Sequence, residues 1–477
     1  MTDTALSNLS LVGNVLIFCV GVNLVWGKKT KVANLLPAIA AAVTAAFLPV
    51  FNKNASITRG KKRYTMVSHN YFKRPENYAR VVIRWSVLSV IMGVVGGLLG
   101  AGFHHVLHFV THIRSGHLWL IFLLPLGGLL TVLIYRHPKM RGNKGTNEII
   151  EATLDGHPVS AMVAPSIFLA TAITHLFGGS AGREGAALQL GGSAASLLAR
   201  CCKLKESNRK ILITAGMSAV FAGLFGTPLT ATLFCMEFES VGTIFSPALL
   251  PCFLSAFLAS RVSLALGVHA ETYMLTEAFS MTLSNFWQYL ILAVLVSLLG
   301  ILMCSFFHKA EHFAARHVPN PFLRIAVGGV LITGMTLLVG DHRFNGAGME
   351  MALKAVGGEA DWYSFALKML FTGVTLAAGF KGGEIVPTFC IGATFGCVLG
   401  GLLGLDAGMA GALGLVGLFC CATNSPLASI ILSVEMFGGT NLHLFAFVCV
   451  ICFVLSGNYG LYASQILQYS KADMLGD

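Results

Sequence analysis

An all-α, polytopic membrane protein made of two inverted-topology repeats of tilted, partly discontinuous helices is the fold class that this sequence predicts. Three observations carry the prediction. Of the 477 residues, 55% are hydrophobic and only 11% charged, and the mean hydropathy is +0.74, a balance outside that of soluble globular domains. The apolar residues arrive in successive blocks, several of only about 10–15 residues and broken by Gly or Pro, whereas a straight span needs roughly 20. Two motifs also recur within the chain. Pro228-Leu229, nine residues before Glu237, returns as Pro426-Leu427 before Glu435 at an offset of 198, and Gly182-Arg183-Glu184 returns as Gly382-Gly383-Glu384 at an offset of 200. Duplication follows, and odd-numbered membrane repeats are typically inverted, with broken helices meeting near the midplane.

Residues 9–26 and 32–51 are two apolar segments joined by a lysine-rich turn, read as an N-terminal hairpin at 1–51 that anchors the chain and is not a cleaved signal. Residues 52–80 form a basic linker, since 52–84 holds nine Lys or Arg against Glu76 alone. A polytopic membrane domain at 81–470 follows, with repeat halves at about 81–266 and 286–457. Its first-half blocks are 81–110, 118–135, 161–177, 185–198, 211–225, 228–238 and 244–266. The second half comprises 286–307, 322–339, 362–380, 385–405, 409–421, 426–437 and 442–455, with a last apolar stretch at 461–469. A short tail, 471–477, leaves no room for a regulatory module.

Net charge is +11, but the basic residues cluster in loops. Residues 52–84, 136–144, 200–210 and 309–324 together hold 21 of the 32 Lys and Arg, which places them on the cytoplasmic side and explains the charge without nucleic acid. The acidic stretches 267–286 and 340–362 are then external. Most of the twelve cysteines lie within apolar runs and read as small core hydrophobes, while His104, His105, His108 and His175 have no metal-ligand spacing and read as wall residues. No nucleophile–base pair, phosphate loop or metal cluster points to an enzyme.

The chemistry concentrates in Gly178–Gly192, where Arg183 and Glu184 stand between glycine clusters at membrane depth. Ionisable groups there mark an ion or proton pathway. The glycines let the backbone leave its helix, and the restarting helix aims free N–H groups and its positive dipole end into the gap, which suits an anion. Glu184 acts in this reading as a surrogate anion whose protonation vacates the site; a buried Arg183–Glu184 ion pair without further role is the alternative. The repeat partner, Gly382 to Pro387, presents the amides of Glu384, Ile385 and Val386. The Glu384 side chain reads as a helix N-terminal acid, and Glu237 and Glu435 as structural hydrogen-bond acceptors.

With G-R-E-G-A at 182–186, G-G-E-I-V-P at 382–387 and N-S-P-L-A-S-I-I-L-S-V-E-M at 424–436, the chain resembles the CLC family of chloride channels and anion/proton antiporters, in its bacterial form without C-terminal CBS domains. The resemblance runs from about 81 to 469. It implies a homodimer in the bilayer, in a bacterial inner or plasma membrane, each subunit passing a small anion, chloride or another halide, with no cofactor. Glu184 takes the place of the gating and proton-accepting glutamate. Gly182, Arg183, Gly185, Glu384, Ile385 and Val386 take the place of the anion-coordinating segments, and Tyr462 that of an inner-gate tyrosine, with Tyr459 as substitute.

Three departures stand out. The family's central serine aligns with Lys144, so either Lys144 attracts the anion, or Thr146 supplies the hydroxyl, or Lys144 is one more positive-inside residue. Phe238 occupies the position of the internal proton glutamate, a loss that resembles the fluoride/proton antiporter branch; Glu239 or a water chain would then substitute. The N-terminal hairpin has no counterpart. The expected function is halide transport coupled to protons, with a gated chloride channel or a fluoride/proton antiporter as alternatives.

Overall fold

The computed structural model describes residues 57–59, 62–64, 75–140, 142–270, 272–468 and 471. The N-terminal hairpin expected at 1–51, and most of the linker and tail, lie outside the described residues. The chain divides into two units, Met1–Arg84 and Trp85–Asp477. In the first, β1 (Ile57–Arg59) and β2 (Lys62–Tyr64) pair antiparallel, with Ile57 opposite Tyr64. Helix α1 (Pro75–Gly116) starts six residues before the boundary expected at 80/81, since Pro75 carries the φ that a first helical turn needs.

The first half continues with α2 (Leu124–Tyr135), α3 (Thr146–Asp155), α4 (Val163–Leu176), α5 (Glu184–Cys201), α6 (Glu206–Phe225), α7 (Pro228–Glu237) and α8 (Leu249–Ala265). The second consists of α9 (Phe286–His317), α10 (Pro321–Val339), α11 (Met349–Val356), α12 (Ser364–Ala378), α13 (Ile385–Leu403), α14 (Ala407–Thr423), α15 (Pro426–Phe437) and α16 (Leu442–Leu455). Among the described residues six helical stretches are long and apolar enough to cross a bilayer, and five further apolar helices are shorter. A 14-residue helix such as α4 reaches only about 21 Å against a hydrocarbon core of about 30 Å. Broken spans are therefore built in, as the short blocks predict.

Four elements differ from expectation. The block at 118–135 is a 3₁₀ turn, Leu118–Leu123, followed by α2 with Pro125 in its first turn. Helix α3 arises outside the expected apolar blocks and α11 within the stretch 340–362 expected as an external loop, each burying one face: Ile149, Ile150 and Ala152 in α3, Met351, Ala352 and Ala355 in α11. Of the stretch expected at 461–469, the described part, 461–468, is not helical. It forms turns and β4 (Ile466–Leu467), parallel to β3 (Ser240–Val241), because Gln465 is drawn to the carbonyls of Phe238 and Thr423.

The repeat is visible in packing. Helices α5 and α6 cross with Gly191 against Gly216, and α13 and α14 with Gly392 against Gly414; a methyl group at any of the four would overlap the facing backbone. Small residues thus bring backbones together where no hydrophobic effect drives helices to associate. The halves also hold each other reciprocally. The Glu237 carboxylate accepts from the amides of Leu427 (3.2 Å) and Ala428 (2.9 Å) at the start of α15. Glu435 accepts from Leu229 (2.9 Å) and Thr230 (2.8 Å) at the start of α7. Each acid therefore satisfies orphan N–H groups of the other half, as sequence reasoning expects of both. Reciprocity of this kind is what a two-fold relation demands.

Removing either acid strands two amides in an apolar interface. Glu237→Ala and Glu435→Ala should each lower the thermal unfolding midpoint in detergent by an amount equivalent to about 1–3 kcal/mol, with Glu→Gln milder; a midpoint unchanged in both Ala variants would contradict the clamp.

Candidate functional site

The loop between α4 and α5 leaves its helix at Phe177, turns at Gly178 with φ +86°, and is then fixed by the second half. Ser180 donates its amide to Thr375 Oγ1 (3.0 Å), its hydroxyl lies 3.0 Å from Thr372 Oγ1, and Lys368 Nζ donates to it at 2.9 Å. Further along, Gly182 and Gly383 exchange both backbone hydrogen bonds, N–H to O at 2.6 and 2.9 Å, as an antiparallel bridge. Helix α5 starts one residue beyond Arg183 and α13 one residue beyond Glu384, so two helix N-termini meet at the bridge. A Cβ on Gly383 would stand 2.7 Å from the amide nitrogen of Glu184 and 2.8 Å from that of Gly185, so only glycine admits this approach.

Glu184 is fully buried. One carboxylate oxygen accepts from the Arg183 amide at 3.1 Å, and Oε1 has no hydrogen-bond partner among the described residues. The side chain lies against the backbone of both halves, since a Cβ on either Gly182 or Gly383 would overlap Oε2. Beside it is a cavity of about 20 Å³ walled by Phe221, Phe225, Phe389 and Phe419, room for about one water-sized particle. On the outer side a cavity of about 460 Å³ reaches Arg183 and Val386 and is lined by His104, His108, Arg114 and His175. The Arg183 guanidinium lies 5.1 Å from the Phe225 ring centre and 3.3 Å from His104 Nδ1. Three of the four singled-out histidines are walls of this cavity, and His105 faces the Leu266 carbonyl, as wall residues should. No group of three or more metal-ligating side chains occurs among the described residues.

On the inner side Thr146 Oγ1 lies 3.5 Å from the Gly185 carbonyl oxygen and accepts from Gln189 Nε2 at 3.3 Å. Tyr462 is buried with an unpartnered hydroxyl, its ring edge-on to Phe238 at 5.4 Å. Tyr459 is half exposed and not brought to the site. Glu384 Oε2 also lacks a partner. Lys144 is displaced from the position that simple alignment gives it: its ammonium bonds both oxygens of Glu151 at 2.8 Å and its side chain is 60% exposed. Being long, it takes its charge out to water, and its hydrogen bond holds the Glu151 carboxyl below its ordinary range. The bridge corrects the repeat register too. Gly182 pairs with Gly383, and Glu184 and Ile385 both open helices, so the first-half counterpart of Glu384 is Arg183 and not Glu184.

Sequence reasoning missed Gln189 and Lys368. Lys368 is fully buried among the Ser180 hydroxyl and the carbonyls of Phe344 and Gly346. It was detectable as the lone charge inside an apolar block, by the rule that singles out Glu184. Gln189 left no such signal.

The profile of a family described as voltage gated chloride channel matches residues 127–457, and one of a family of unknown function, DUF554, matches residues 1–47. A chloride/fluoride channel protein of Pseudomonas syringae pv. tomato is 33% identical over 409 residues, covering 84% of this chain and 90% of its own. An H(+)/Cl(-) exchange transporter ClcA of Vibrio vulnificus is 26% identical over 425 residues, covering 81% and 90%. The solved structure of a CLC-type fluoride/proton antiporter superimposes with a TM-score of 0.78 at 33% identity, over 81% of this chain and 98% of that one. A slow cyanobacterial Cl-/H+ antiporter gives 0.66 at 22% identity, over 78% and 94%, and bears on the fold alone. Matched through most of its length by the family profile, and by a relative at one-third identity, this multi-pass membrane chain belongs to the CLC family.

Proposed function

We propose that the chain exchanges a small monovalent halide for protons, with no cofactor beyond the transported ion, and that Glu184 is both gate and proton acceptor. The observation that carries this reading is the seat of its carboxylate at the bridge, bonded to the Arg183 amide and lying against Gly182 and Gly383, one from each half. Backbone donors at two helix N-termini stabilise negative charge there, and carboxylate and halide compete for the same donors. Protonation removes the carboxylate's charge and with it most of its hold on the amides. The neutral side chain then yields the berth, and a halide enters from the outer cavity past Arg183. When the proton leaves, the carboxylate reclaims the amides and expels the ion. Proton and anion thus alternate at one berth, which is exchange and not passive flow. Thr146 and Tyr462 supply hydroxyl donors on the inner side, in the place where Lys144 is absent. A homodimer, each subunit with its own pathway, is the assembly that the family resemblance supports.

Fluoride is the halide that the comparisons favour: the identity to the chloride/fluoride channel protein and to the fluoride/proton antiporter is 33%, against 26% for the chloride exchanger. Phe238 points the same way. It is buried, stacked on Phe234 at 4.8 Å, and offers no proton-carrying group where a chloride exchanger of the family has a glutamate.

In proteoliposomes an imposed fluoride gradient should drive protons uphill, read with a trapped pH dye, and chloride should do so more slowly; gradients that move anion with no uphill proton flux would make the protein a channel. Glu184→Gln and Glu184→Ala should abolish the proton movement while anion flux persists. Thr146→Val should weaken apparent halide affinity roughly 5- to 10-fold, the scale of one lost hydrogen bond, whereas Lys144→Gln should leave it unchanged; the reverse order would restore Lys144 to the pathway.

A further inference from the structure

Away from the transport path, a cavity of about 210 Å³ lies between α2, α10 and the residues that follow α12. Its lining includes Tyr135, Arg136, Arg324 and Lys381, and no carboxylate. Glu148 acts on Tyr135, and Glu311 and Glu384 on Lys381, through space without entering the wall. Two polar atoms at the cavity have no partner among the described residues: the Tyr135 hydroxyl and the Arg324 Nε–H, both enclosed. An enclosed donor left unbonded costs about 1–3 kcal/mol, so the pair marks a place where something else accepts. The cations are also pre-positioned. Arg136 stacks over Phe322 at 5.4 Å and Lys381 over the Tyr135 ring at 4.7 Å.

The surroundings identify the ligand class. Arg136 and Arg324 belong to the basic segments 136–144 and 309–324, which the positive-inside rule assigns to the cytoplasm, so the cavity sits at the cytoplasmic edge of the hydrocarbon layer. Leading away from it, α2 exposes Leu126, Leu130 and Leu133, and α10 exposes Leu323, Val327 and Leu331. We infer that this basic socket takes the phosphate of an anionic phospholipid, with the acyl chains lying along the exposed leucines of α2 and α10. Arginine forks and a phenol match phosphate oxygens, and basic pockets between helices on this side are where anionic headgroups bind. A free phosphate would use the same donors but gain nothing from the apolar faces. Lys381 directly precedes Gly382, so the socket and the second half's berth loop share a junction.

The test is lipid retention by the full-length protein in mild detergent, read by native mass spectrometry after incubation with equal amounts of phosphatidylglycerol and phosphatidylcholine. Wild type should keep the anionic lipid preferentially. The Arg136→Gln/Arg324→Gln double variant should lose roughly 10- to 30-fold of that retention, the scale of two basic residues at a membrane surface. Arg136→Lys/Arg324→Lys should keep most of it, which separates loss of charge from misfolding, and Tyr135→Phe should weaken it a few-fold. Equal retention of the two lipids by wild type, or unchanged retention in the double Gln variant, would overturn the assignment. So would displacement by millimolar inorganic phosphate with no lipid preference, which would make the socket a soluble-anion site.

Discussion

Two hydrogen bonds between Gly182 and Gly383 constrain everything else in this molecule. Presenting helix N-termini inside a membrane means that the backbone must leave its helix where no water can satisfy it. The bridge resolves part of that cost by letting the two broken segments satisfy each other, and Ser180, held by Thr375 and Lys368, resolves more. What remains are the amides just past the bridge, which no helix uses. One of them, from Arg183, is bonded to the Glu184 carboxylate, which also lies against Gly383 of the other half. The site is thus the residue of an otherwise completed backbone account: donors left over by the break, gathered in one place and offered to negative charge.

The same bridge lies on the relation between the halves. Equivalent residues, 182 and 383, exchange N–H and C=O in both directions, as a two-fold operation through their midpoint requires. The exchange of Glu237 and Glu435 for each other's helix starts repeats that logic some distance along the chain, at an offset of 198 in place of 201. The difference of three residues lies in α6, which has 20 residues against 17 in α14. Symmetry accounts for structure, then, and the departures from it mark where the halves have different tasks.

Much of this was legible in the chain. A charged pair framed by glycine in apolar sequence has few physical meanings, so Glu184 and its counterpart segment stood out, as did the acids nine residues after Pro-Leu. The helices that escaped, α3 and α11, have 10 and 8 residues and bury one face while showing the other to solvent. Their polarity resembles that of a loop, and only tertiary contact makes them helical. Alignment put Lys144 at the site because spacing alone counts residues; φ +66° at Gly145 turns the chain there, and Thr146 faces inward in its stead. Gln189 was invisible for another reason. A buried amide among apolar neighbours declares itself only by its partner, and that partner, Thr146, is 43 residues distant in sequence.

The asymmetry at the bridge bears directly on mechanism. Register places Ile385 where the first half has Glu184 and Glu384 where it has Arg183, so one helix opens with an acid and the other with an aliphatic residue. Two identical acids at symmetric starts would contend for one set of amides, and like charges so close cannot both ionise. The second half's acid, Glu384, stands one residue before its helix start with Oε2 near Gly185, so the two carboxylates do not occupy equivalent places. A duplicated scaffold built to hold one negative charge between two equal ends thereby acquires a direction. In the exchange proposed above, the competing carboxylate enters from the side of Arg183 and the outer cavity, with Thr146 and Tyr462 on the other.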